Sequence, residues 1–317
     1  MMRFTPVLAL TAAALLTACA APLSEPTPAP TAAAQPAGPA AGSPATDIYL
    51  LELSERGDLF RFGTPVNATD RAGYDNQPSF TPDGQAVLYT SIREDSQADI
   101  YRYDLARRES TRITRTPESE YSPTVMPDGR SISVVRVEAD STQRLWRFDP
   151  NGSNPRLILE DVRPVGYHAW GEDTTLALFV LGDPPTLQIA GTRTGISTVM
   201  AADIGRSLHR VPGQTAISFV RKIAPDEWWI ERLDLRTGEM TRLAPTLPGV
   251  EDYAWTPRGT LLMGRESELF RWDAAAEEWR RVADLAAAGV REITRLAVSP
   301  RGDRVAVVGR RAAAAQR

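Results

Sequence analysis

Cysteine occurs once in the 317 residues, at Cys19, and histidine only twice, at His168 and His209. A single thiol rules out an intramolecular disulfide. Two histidines leave a histidine-rich metal site a ligand short. Positive charge is in slight deficit, with 36 Lys and Arg against 40 Asp and Glu and a net charge of −4, which gives no ground for a nucleic-acid surface. No Gly-x-Ser-x-Gly sequence is present, so the nucleophile elbow of an appended serine hydrolase is missing. Long apolar runs are missing too: the mostly apolar stretch from Phe4 to Leu16 is too short for a good membrane span.

What that stretch does match is an export signal. Arg3 supplies the positive start, and Leu16-Thr17-Ala18-Cys19 places small residues at a cleavage point. A lone thiol directly after Leu-Thr-Ala resembles a bacterial lipobox, in which the cysteine becomes the lipidated N-terminus. An ordinary signal peptide that happens to contain Cys19 is the alternative. On the lipobox reading residues 1–18 are the signal peptide, and Ala20, where an Asp would retain the protein, fits export to the outer membrane on its periplasmic side. Residues 19–46 then form a lipidated Cys and a Pro/Ala-rich tether, since their composition cannot bury enough apolar surface to offset backbone ordering. The membrane is met through the lipid alone.

From Asp47 onward the chain repeats. Aligning on a turn glycine or its stand-in gives Gly84, Gly129, Asp173, Gly213, Gly259 and Gly302, at intervals of 45, 44, 40, 46 and 43 residues. Each interval parses into short strands of alternating polar and apolar residues, as in QAVLYTSI, ADIYRYDL and STRITRT. Six units at that period predict an all-β, six-bladed propeller of four-stranded antiparallel blades over residues 47–317. No long helix is needed, although DLAAAGVREI can form a turn or two. After Gly302 only DRVAVVGR remains for the sixth blade, which lacks its two outer strands. DIYLLEL (Asp47–Leu53) and GDLFRF (Gly57–Phe62) resemble those missing strands and would close the ring without a long unpaired edge. An open arc with a stray N-terminal hairpin is the other possibility.

The phrases PSFTPDGQAVLYTS, ADIYRYDL, PTVMPDGRSISVVR and LAVSPRGDRVAVVG are similar to repeats of the TolB-like β-propeller family. The resemblance covers most of Asp47–Gly309. It implies a bacterial, extracytoplasmic protein whose relatives mostly act as binding scaffolds without chemistry of their own. Two departures from the founding TolB protein stand out: a tether replaces an N-terminal α/β domain, and the chain carries a lipobox.

In Thr-Pro-Asp-Gly, proline presets φ, aspartate bonds back to the backbone and glycine accepts positive φ, which is hairpin chemistry between the first two strands of a blade. Asp83 and Asp128 are read as turn residues on this basis, with a metal-ligand role as the alternative. Antiparallel order then sends the second-to-third-strand loops and the blade connections to the opposite end, where function is expected because connections vary on a fixed scaffold. That face collects Tyr74, Asp75, Glu94, Asp95, Glu120, Tyr121, Asp140, Gln143, Tyr167, His168, Asp252 and Tyr253 as candidate ligand-binding residues. Tyrosines interleaved with carboxylates suit a protein partner or a cell-wall or saccharide fragment; the alternative is that the rings pack between blades and the acids face water. The reading is therefore a lipid-anchored envelope binding protein with no catalytic residue, metal or cofactor. The alternative is a metal-assisted polysaccharide lyase or glycoside hydrolase, a chemistry that the resemblance to oligouronide lyases brings in.

Overall fold

Turn chemistry at the two Pro-Asp-Gly sites behaves as their residues dictate. Gly84 takes φ +66° and its N–H donates to the Thr81 carbonyl at 2.8 Å, while the Asp83 carboxylate accepts from the Thr81 hydroxyl at 2.6 Å and the Gln85 N–H at 2.9 Å. Asp128 caps the next turn in the same way, accepting from the Arg130 and Ser131 N–H groups at 2.8 and 3.0 Å. Both aspartates are spent on local backbone donors, so the turn reading stands.

These hairpins build six sheets. The computed structural model describes residue 1 and residues 45–311 apart from 94 and 173; Cys19, the expected signal, nearly all of the tether and the last six residues lie outside the described residues. Blade 1 runs Tyr74–Phe80, Ala86–Ile92, Ala98–Asp104 and Glu109–Arg112, each strand antiparallel to the next. Four further blades repeat this order, beginning at Ser119–Val125, Val165–Glu172, Ile204–Arg210 and Tyr253–Trp255. The expected fourth strand of blade 2, PRLILED, shrinks to Arg156–Leu157, and DLAAAGVREI holds a single 3-10 turn at Ala286–Ala288 before the strand Val290–Val298.

Blade 6 is assembled from both ends of the chain. Val290–Val298 and Arg304–Arg311 supply the inner strands, and Asp47–Arg56 pairs with the second of them from Asp47↔Gly309 to Glu52↔Arg304. Leu59–Phe62 adds the outer strand, and Val66–Asn67 continues along the same edge opposite Tyr49 and Leu50. The ring closes through its N-terminal strands.

Among the described residues the buried side chains gather into six clusters, one between each pair of neighbouring blades: Leu88, Ile100 and Phe148 between blades 1 and 2, for example, and Ile48, Val308 and Tyr89 between blades 6 and 1. Each blade therefore buries both faces, as a ring of stacked sheets requires.

One expectation needs correction. Tyr74, Tyr121, Tyr167 and Tyr253, expected among the loops and blade connections of one face, lie inside the first strands. Most first strands carry a register shift, between Asn76 and Ser79 or Tyr121 and Thr124, for instance, with Gln77 and Ser122 at φ +57° and +53°. A bulge of this kind breaks the alternation from which strand limits are read.

Candidate functional site

The residue five positions before the turn proline is polar in every blade that has one: Gln77, Ser122, Ser207, Asp252 and Arg295. Because the first strand of each blade faces the ring axis, these side chains converge, and all of them line a central cavity of about 810 Å³. Leu208 and Leu296 form part of its wall, and it reaches the turns at Pro82, Pro212, Pro257 and Pro300.

At the end away from the turns sits a charge cluster. Arg206 donates to Asp252 Oδ2 from Nη2 at 2.6 Å and from Nε at 3.2 Å, and Arg295 Nη1 lies 3.6 Å from Asp252 Oδ1. The Arg295 guanidinium also lies over the Tyr167 ring, 4.9 Å from its centre. Glu251 joins from the neighbouring position, 3.4 Å from Arg206 Nε and 2.9 Å from Lys222 Nζ. Burial alone would push the Asp252 carboxyl up, but Arg295 and Arg206 hold it below the usual carboxylate range. Burial acts most strongly on Arg295 and would favour its neutral form, but the Asp252 carboxylate, Tyr167 and Tyr74 together raise it and keep the guanidinium charged.

The histidines are fixed by hydroxyls. His168 Nε2 lies 2.8 Å from Ser133 Oγ, which also accepts from the Trp170 indole N–H at 2.9 Å. Eighty-five residues later the same device returns: Ser218 Oγ meets the Tyr253 hydroxyl at 2.8 Å and the Trp255 N–H at 2.8 Å. His168 thus occupies the place that Tyr253 takes in the second copy of this inter-blade clamp. His209 Nε2 lies 3.0 Å from Ser207 Oγ and its ring meets Tyr253 edge-on at 4.7 Å. Burial pushes both imidazoles down to about 4, so they are neutral at pH 7. Among the described residues no three His, Cys, Asp or Glu side chains come together as a metal-binding set.

No protein-family model and no curated protein sequence matches the chain. Solved structures do. A protein described as TolB from Agrobacterium tumefaciens superposes with a TM-score of 0.65 at 16% identity, over 84% of this chain and 99% of that one. TolB from Acinetobacter baumannii gives 0.54 at 15% identity, over 84% and 64%. The fold is that of a TolB-like β-propeller. Oligogalacturonate lyase in complex with manganese shares the architecture at a TM-score of 0.51 and 16% identity, over 78% and 80%.

Within this TolB-like ring the residues singled out from sequence separate into two groups. Tyr167, His168, Asp252 and Tyr253 line the cavity. The others do not. Asp75 is fully buried against the Ser91 hydroxyl at 2.6 Å and Arg71 at 3.1 Å, where burial raises its carboxyl. Glu120 is fully buried beside Thr116 and Arg136, and Tyr121 packs into the cluster between blades 2 and 3. Tyr74 is half-buried, with burial raising its phenol, and Gln143 is buried. Asp95 and Asp140 are exposed; the first lies 3.5 Å from Arg112 and the second accepts from the Thr142 N–H at 2.9 Å. Glu94 lies outside the described residues. Arg206 and Arg295, the cavity's principal charges with Asp252, were not singled out. Counting back from the turn proline in each repeat would have found Arg295 and flagged its neighbours.

Proposed function

We propose that this TolB-like propeller is a binding module of the bacterial cell envelope, tethered through Cys19, that receives an extended polar ligand, a protein segment, in its central channel from the turn side. The channel supports this reading: a cavity of about 810 Å³ running along the first strands, with hydroxyls and apolar side chains on its wall and charge concentrated at one end. Its size and mixed lining suit a bound segment. The neighbours named TolB support the scaffold part of the proposal through the fold they share. This places the ligand nearer the turns than strand direction alone suggested; the loops that carry Asp95 and Asp140 are the alternative face.

A lyase reading has support in the manganese-bound neighbour, but it needs a donor set that the described residues do not bring together. The tether rests on the lipobox: Cys19→Ser is expected to lose the N-terminal acyl mass and leave the membrane fraction, and equal partitioning of parent and variant would remove it. For the channel, Ala297→Trp is expected to abolish chemical crosslinking to an envelope neighbour, because Ala297 lines the cavity and an indole there would obstruct it. Asp140→Lys on the far face is expected to leave that adduct intact. The reverse pattern, with unchanged thermal midpoints, would move the site to the loop face.

A further inference from the structure

The charge cluster carries one cation more than it needs. Among the described residues Arg206, Arg295 and Lys222 pair with two carboxylates, Glu251 and Asp252, and Glu251 is already shared between Arg206 and Lys222. The Arg295 side chain is only 15% exposed, and its nearest carboxylate oxygen stands at 3.6 Å, beyond a close hydrogen bond. A guanidinium withdrawn from water without a close, well-directed anion is costly, and such a group is retained where a ligand completes it.

Resting on the channel reading above, we propose that Arg206 and Arg295 form a carboxylate site at the inner end of the channel, which takes the C-terminal carboxylate of a peptide that enters from the turn side. The planar forks of two arginines match a carboxylate in geometry as well as charge. The placement of charge favours a peptide over an acidic saccharide. From Arg206 to Arg210 the first strand of blade 4 climbs about 13 Å at roughly 3.3 Å per residue, and the turn at Pro212 lies beyond it. Along that climb the wall is Leu208, with Pro78, Pro123, Ala254 and Leu296 from other blades; Arg210 comes only near the turn. A polyuronate presents a carboxylate on every sugar and would need cations along the whole wall. An extended peptide with uncharged side chains presents one, at its end.

The test uses the full chain and two tetrapeptides of the sequence Ac-Gly-Ala-Leu-Ala, one ending in the free acid and the other in the amide, with affinities measured by ligand-observed NMR. The free acid is expected to bind about tenfold tighter than the amide, the worth of a charge-assisted contact. Arg295→Gln is expected to erase that difference and Arg295→Lys to keep part of it. Asp252→Asn removes the competing carboxylate and is expected to raise the ratio of acid to amide affinity, a gain that a merely structural role for the cluster would not produce. Equal binding of both peptides, lost together in Ala297→Trp, would overturn the carboxylate site and leave the channel reading standing. Binding of neither peptide would overturn both. Arg295-dependent binding of digalacturonate in place of the peptides would overturn the peptide assignment in favour of a saccharide acid.

Discussion

Glu120 shows how a side chain that looks like a ligand contact in sequence becomes a term in folding. Its carboxyl is fully buried, and burial raises it to about 7 from an ordinary 4.5, with the Thr116 and Thr114 hydroxyls and Arg136 acting in the opposite direction. A carboxyl raised on folding binds more protons folded than unfolded between those two values, so stability falls as pH climbs from about 4.5 to 7 and is level beyond. Glu120→Gln is therefore expected to gain on the parent across that window, by on the order of 1–3 kcal/mol at pH 8. The buried histidines have the opposite sign, costing stability as pH falls from 6.5 towards 4, but both remain in the variant and cancel in the difference. Denaturant titrations at a series of pH values check this; parallel curves for parent and variant would contradict it. The role of Glu120 was not legible beforehand because an acid before a tyrosine reads the same whether it faces water or a neighbouring blade. Asp83 and Asp128 were legible, since a turn aspartate is satisfied by backbone two residues away.

Strand count was the most legible feature at the level of elements. The shortage of strands after Gly302 identified Asp47–Leu53 and Gly57–Phe62 as the missing pair, and Asp47–Arg56 and Leu59–Phe62 occupy those places. Less legible were the first strands, whose bulges shift register at Asn76/Ser79, Tyr121/Thr124 and Ile204/Leu208 and so hide where each strand begins. Asp47–Arg56 buries Ile48, Tyr49, Leu50, Leu51 and Leu53. At about 1.5–3 kcal/mol each, those side chains match the net stability of a typical domain, about 5–15 kcal/mol. Deleting residues 47–62 is accordingly expected to abolish cooperative thermal unfolding, whereas deleting residues 20–44, whose composition gives little to bury, is expected to leave the midpoint within a few degrees. Similar midpoints for the two truncations would show that closure contributes little.

At the largest scale, the propeller is a ring of six inter-blade interfaces around an axis lined by Arg206, Asp252 and Arg295. The ring was readable because its period and turns are local. The channel was not, because Arg206, Asp252 and Arg295 come from three blades and meet only when the ring is closed. Three arginines, Arg206, Arg210 and Arg295, line this axis against the single lining carboxylate Asp252, a balance suited to draw in an anionic end. The central claim is that the ligand enters this channel from the turn side. The most direct measurement is photo-crosslinking in intact cells from a photoreactive residue at position 210, which is exposed and lines the turn end of the cavity, compared with one at position 140 on the far face. The account predicts a discrete adduct from position 210 that disappears when Ala297→Trp is added, and none from position 140; a discrete adduct from position 140 alone, unaffected by Ala297→Trp, would contradict it.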